Sequence, residues 1–252
     1  MAVNTGRRRG KKRVILTLVF LTCLFLAVFS SRGLVLDWQE DVEARSEYTE
    51  LRSLNATARP APAPVPVETL DRGPEPETAE EPGVLIHPLV EINPDFVGWI
   101  NIPGTDVDYP VVQGADNAFY LNTTFRGERN VAGAIFMDYR VAGDFTTPIT
   151  LLYGHNMRDG SMFSSLLHFL DAGFLNEYRE ITIVTAGMEV LTYRVIGARR
   201  AEGHDAVYGL DFEDRDAAAA HFGEAGRFLV LSTCGSNRDT SARVLVYALL
   251  VE

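Results

Sequence analysis

The sequence predicts an α+β domain made mostly of short strands, closed or nearly closed into a barrel. Three observations predict it. Short apolar runs recur from about residue 96 to 251, and helical patterns between them are few and brief. The two strongest strand patterns, 227–233 and 243–251, lie together at the C-terminal end around a polar loop. Many short strands with a few short helices are the pattern of a sheet that curls onto itself.

The elements follow in order. Residues 89–100 read as a short helix stopped before Pro94 and then the start of a strand. Residues 108–112 form a second short strand, and 116–121 a helical turn or two capped by Asp116. Residues 133–138 and 149–153 are buried strands, the latter bounded by Pro148 and Gly154. The run 162–170 is amphipathic and predicts a helix. Residues 180–185 and 190–198 pair as a hairpin around Ala186-Gly187, and 215–222 is a short Ala-rich helix.

Charge and hydropathy divide the 252 residues into more than this one domain. Residues 1–32 carry seven basic side chains and no acidic one. The remaining 16 basic residues face 34 acidic ones, a balance of −18 over residues 33–252. An acidic domain of this kind argues against nucleic acid as a partner, because binding phosphate needs cations. Residues 14–31 are uncharged, and 18 residues of helix would span about 27 Å, near the hydrocarbon thickness of a bilayer. The expectation is a cytoplasmic basic stub (1–13), a retained transmembrane anchor (14–31) and an extracytoplasmic domain. A cleaved signal peptide is the alternative, but no small-residue cleavage site follows the run. Residues 32–83 read as a juxtamembrane segment and a linker rich in Pro, Ala and Glu, with the folded domain at 84–252. Residues 60–88 hold eight of the twelve prolines.

Of the two cysteines, Cys23 falls in the apolar run, so the exported domain carries a single thiol, Cys234. If the last two strands pair as a hairpin, Cys234 ends one and Arg243 opens the next, on the same rim of the sheet. A guanidinium beside a thiol favours the thiolate and can donate to a developing oxyanion. His155 leaves another buried strand directly after Gly154. Thiol plus imidazole is the minimal cysteine nucleophile pair, with histidine as base and then acid. His87, His168, His204 and His221 lack such a setting and read as structural or exposed. One thiol and scattered histidines give no metal-ligand spacing, so neither a metal nor another cofactor is expected.

Leu231-Ser232-Thr233-Cys234, followed nine residues later by Arg243 at a strand start, resembles the T-L-x-T-C…R element of sortases. Tyr153-Gly154-His155-Asn156 resembles their histidine element, and the order His, Cys, Arg is theirs. Asn93-Pro94-Asp95-Phe96-Val97-Gly98-Trp99-Ile100, Asp108-Tyr109-Pro110-Val111-Val112-Gln113 and Asp159-Gly160-Ser161-Met162-Phe163 are similar to class B in particular. The resemblance runs over roughly 89–251.

It implies an eight-stranded sortase barrel with short peripheral helices, added at the N-terminus and between the sixth and seventh strands. It implies a cysteine transpeptidase in which Cys234 attacks the carbonyl of a Thr in a C-terminal sorting signal and forms a thioacyl enzyme. His155 handles the protons of the leaving and incoming amines, and Arg243 steadies the oxyanion. The acceptor amine belongs to a cell-wall peptide precursor or a pilin. By position, Asn117, Leu121, Tyr153 and Ser232 match residues that line the signal-peptide groove. The stretch 199–227 is short for class B, which leaves the sorting motif open, and Arg238 competes with Arg243 for the arginine role.

Other readings fit less well. Papain-like peptidases place Cys before His. L,D-transpeptidases carry S-x-G-C-x-R with a nearby histidine, whereas His155 lies 79 residues before Cys234. A surface peptide-binding module without turnover would not need all three polar groups.

Overall fold

The computed structural model describes residues 5–58, 86–209, 211–234 and 241–251. The Pro-rich spacer, its junction at Val84, and Arg238 lie outside the described residues. Met1–Arg45 and Ser46–Glu252 form two compact units. Helix α1 covers Thr5–Ala58. Within the first unit the described side chains of the apolar run, residues 16–26, are exposed. Among the described residues no helix is long and apolar enough to cross a membrane.

The second unit holds the predicted barrel. Its strands are β1 (Phe96–Asn101), β2 (Asp108–Val112), β3 (Ile135–Met137), β4 (Ile149–Tyr153), β5 (Glu180–Thr185), β6 (Val190–Glu202), β7 (Phe228–Cys234) and β8 (Ala242–Leu250). They close in the order β1-β2-β3-β4-β7-β8-β6-β5, with β1 pairing β5. Closure leaves no unpaired sheet edge. The β5–β6 hairpin forms around Ala186-Gly187 as predicted.

β7 is buried from Phe228 to Thr233 because it is covered on both faces. Leu229 and Leu231 are fully buried in alternation with Val230. Helix α4 (Arg215–Phe222) packs over this part of the sheet, where the Phe222 ring stacks on Phe228 at 4.1 Å and meets Tyr247 edge-on at 5.5 Å. The helix begins at Asp214, whose carboxylate accepts from the Asp216 and Ala217 amides, and ends at Gly223 with φ of 82°.

Three elements differ from the sequence reading. The run 162–170 is a 3₁₀ helix over Ser164–Leu170, not an α-helix. Phe163, Leu166 and Phe169 are all buried, and their spacing of three suits the eclipsed face of a 3₁₀ helix. Asp171 then caps a further short helix, α3 (Ala172–Glu177), by accepting from the Phe174 amide. β3 has only three residues, because Gly133 turns the chain at φ of 58° against the carbonyls of Tyr120 and Leu121. The compact unit also takes in Ser46–Ala58, which the sequence placed in the juxtamembrane segment. That stretch buries Tyr48 and Leu51, and the Tyr48 hydroxyl donates to the Gly133 carbonyl. With α2 (Leu89–Ile92) it supplies the N-terminal helical addition, and α4 with a 3₁₀ turn at Ala206–Gly209 supplies the one between β6 and β7.

Candidate active site

The barrel's register sets the site. β4 and β7 run parallel, with Tyr153 opposite Ser232, and the Gly154 amide donates to the Ser232 carbonyl at 3.2 Å. Each strand therefore reaches the same rim two residues before His155 and Cys234. Adjacent strands lie about 4.8 Å apart. β7 and β8 are antiparallel, and their last register pair is Cys234 with Arg243. Backbone pairing thus brings the three residues singled out in the sequence to neighbouring positions on one rim, with Cys234 in the middle strand.

His155 is held from several sides. A Cβ on Gly154 would come within 2.5 Å of Ile135 and 2.7 Å of the Phe163 ring, so only glycine lets the chain pass here. The His155 carbonyl accepts from the Phe163 amide at 2.8 Å, and Asn156 bridges to Met162. On the ring, Nε2 lies 2.7 Å from the Leu121 carbonyl. A carbonyl only accepts, so Nε2 carries hydrogen, and Nδ1 is the nitrogen left to take up a proton. Arg243 is half-buried, and its Nη1 donates to the Ala242 carbonyl at 3.0 Å.

The four positions matched to the groove share this neighbourhood. Leu121 supplies the carbonyl against His155, and Asp116 caps the turn before it by accepting from the Ala118 and Phe119 amides at 2.8 and 2.9 Å. Asn117 and Tyr153 meet on one buried carboxylate, Asp138: Asn117 Nδ2 donates at 3.0 Å and the Tyr153 hydroxyl at 2.8 Å, both to Oδ2. Ser232 is buried, its Oγ 2.8 Å from the hydroxyl of Tyr208, and the Tyr208 ring lies parallel to that of Tyr153 at 6.3 Å.

Sequence reasoning missed Asp138, Arg140 and Tyr208. Arg140 grips both oxygens of Asp138, at 2.9 Å through Nε and 2.8 Å through Nη2, and its own amide adds a third bond at 3.0 Å. Arg140 also donates through Nη1 to the Tyr208 carbonyl at 3.1 Å. Burial alone would raise the Asp138 pKa, but the bonds from Arg140, Tyr153 and Asn117 outweigh it and hold the carboxyl below its ordinary range. Burial, reinforced by the Asp138 charge, pushes the Tyr153 pKa well up, so its hydroxyl stays a donor. The one sequence signal was an acidic residue closing an apolar run with an arginine two positions on. Among the described residues no group of three or more His, Cys, Asp or Glu side chains could hold a metal ion.

Comparison with known proteins gives this arrangement a family. The sortase-domain profile matches residues 100–251. Sortase B of Staphylococcus aureus is 31% identical over 182 residues, which cover 65% of this chain and 73% of that protein. Sortase B of Listeria monocytogenes is 47% identical over 87 residues, covering 34% of this chain and 35% of that protein. Among solved structures, a Staphylococcus aureus sortase B–substrate complex superposes with a TM-score of 0.66 at 25% identity, covering 85% of this chain and 99% of that one. Sortase B from Bacillus anthracis, in complex with AAEK1, gives 0.64 at 27% identity, covering 85% of this chain and 99% of that one. The chain belongs to the sortase family of cysteine transpeptidases, and its relatives place it with the class B members.

Proposed function

We propose that this chain is a membrane-anchored transpeptidase that cleaves a C-terminal sorting signal after Thr and transfers the protein to an amine. The observation that carries the reading is the register of three strand ends, Tyr153 with Ser232 and Cys234 with Arg243.

The Cys234 thiolate attacks the Thr carbonyl carbon, and the carbonyl oxygen takes up the negative charge. Arg243 donates to that oxyanion. The C–N bond breaks as His155 gives a proton to the leaving amine, and a thioester remains on Cys234. The incoming amine attacks the thioester, His155 removes its proton, and the thiolate departs. Asn117, Leu121, Tyr153 and Ser232 hold the signal peptide. The acceptor is a cell-wall peptide precursor or a pilin lysine. A class B sortase of Streptococcus pyogenes described as involved in pilus biogenesis is among the similar structures, at 28% identity and a TM-score of 0.57, which keeps the pilin acceptor in view. The basic stub and the uncharged run 14–31 support a single span with the catalytic unit outside the cell.

The test is intact mass of the full chain in detergent after incubation with NPxTx- and LPxTx-type peptides. The expected result is an adduct equal to the peptide cut after Thr, absent in Cys234→Ala and released by hydroxylamine. No adduct from any peptide in the set would overturn the reading. Cys234→Ala that still binds peptide while the parent never turns over would indicate a binding module.

A further inference from the structure

One buried group lies outside the proposed chemistry yet is bonded to Asn117, Tyr153 and Arg140 around the site. Asp138 is fully buried just past β3, and its carboxylate accepts bonds from Arg140, Asn117 and Tyr153. Each partner leads towards a reacting residue. Tyr153 stands two positions before His155, and Ile135 and Phe163 confine Gly154 between them. Asn117 opens the turn that ends at Leu121, whose carbonyl orients the His155 ring. Arg140 reaches the carbonyl of Tyr208, whose hydroxyl meets Ser232, two positions before Cys234.

We propose that Asp138, clamped by Arg140, is a positioning residue for the reaction: it ties the Asn117 turn, the end of β4 and the Tyr208–Ser232 contact into one rigid floor beneath His155 and Cys234. The inference rests on the transpeptidase reading above.

The physical argument concerns charge and valence. A buried carboxylate must have its acceptor sites filled, and five donor groups fill them here: two guanidinium N–H groups, a backbone amide, a phenol and a side-chain amide. Charge-assisted bonds of this type are short and directional, so the donors are fixed relative to one another. A neutral amide at this position would accept fewer bonds and would set its own N–H groups against donors. The arms would separate even if the barrel held, because the ladder at β4, β7 and β8 is made by backbone groups.

Asp138→Asn in the full chain in detergent is the test, with two readouts. The first is steady-state transfer of the peptide that labels the parent. The expected result is a kcat lower by about 10–100-fold, with a smaller rise in KM because Asn117 and Tyr153 also hold the peptide, since a misplaced reacting pair costs rate more than affinity. The second is the His155 ring signal in NMR, expected to shift or broaden as the Leu121 contact loosens. A merely structural carboxylate would lower the melting temperature and leave both unchanged per folded molecule, which would overturn the proposal. Should the parent form no adduct, the transpeptidase reading fails, and the His155 signal alone decides: moved supports positioning by Asp138, superimposable overturns it. If Asp138→Asn does not fold, Arg140→Lys decides by the same readouts. That variant keeps the charge but loses the two-point grip, and the expected fall in kcat is several-fold.

Discussion

At the scale of single residues, His87 shows how a lone histidine can be structural and still set a pH dependence. Its side chain is 1% exposed. Nδ1 accepts from the Leu89 amide at 3.2 Å, so Nε2 bears the hydrogen and donates to Asn55 Oδ1 at 3.1 Å. Protonation would set a second N–H against the Leu89 amide. Burial holds the ring's pKa below its ordinary value. The unfolded chain therefore binds the proton first, and the stability this site contributes is complete above about pH 6.5 and lost as pH falls through the lowered folded value. Thermal melts should show the parent weakening on acidification below about pH 6.5. His87→Gln should be less stable at neutral pH yet lose less over the same interval. Equal slopes for the two proteins would assign the acid sensitivity to other groups. The rim positions of His155, Cys234 and Arg243 were legible because each lies at the end or start of a strand, beside Gly154 or a polar loop. The role of Asp138 was not, because Asn117 and Tyr153, which share its carboxylate with the neighbouring Arg140, come from positions that only the closed barrel brings to it.

At the scale of elements, local sequence marked the pieces whose ends carry turn chemistry. β4 appears between Pro148 and Gly154, the bounds its punctuation predicts, and α4 at the 215–222 read from its alanines, closed in the structure by Asp214 and Gly223. The 3₁₀ run at Ser164–Leu170 was misread because Phe163, Leu166 and Phe169 fit a period of three almost as well as 3.6 over so short a stretch. The packing of the end of α1 was not legible for a different reason: its apolar residues are sparse, and what they pack on is distant in sequence. Tyr48 meets Tyr109 edge-on at 5.2 Å, and the Arg52 guanidinium lies over the same Tyr109 ring at 4.6 Å. The exposed contacts of Arg126 with Glu47 and Glu50 add little. The buried bond from Tyr48 to the Gly133 carbonyl matters more, because Tyr48→Phe would strand that acceptor. The expected loss is about 1–2 kcal/mol in urea unfolding with an unchanged m-value. A loss below about 0.5 kcal/mol would mean that water takes the place of the hydroxyl.

At the scale of the whole molecule, the question is where the folding unit begins. Composition puts the start near Val84, after the prolines, because an Ala/Pro/Glu segment cannot bury enough apolar surface to hold structure. Packing instead carries the compact unit back to Ser46, across the Pro-rich segment. Tyr48 at 3% exposure and Leu51 at 0% belong to the same core as the barrel's own side chains. Burying each contributes about 1.5–3 kcal/mol, a large fraction of the roughly 5–15 kcal/mol that holds a domain folded. A chain beginning at Val84 would lose both, together with the Asn55 partner of His87, and would expose the Tyr109 ring now covered by Tyr48 and Arg52. A chain beginning at Ser46 keeps all of them. Compared in the same buffer, the shorter chain should unfold at a lower urea concentration and with a smaller m-value, because less surface is buried to begin with. Adding the 46–58 peptide in trans should recover part of the difference, since the missing contacts are side-chain contacts to a preformed surface. Equal midpoints for the two chains would show that the helix rests on the barrel without stabilising it, and that the folding unit begins after the prolines.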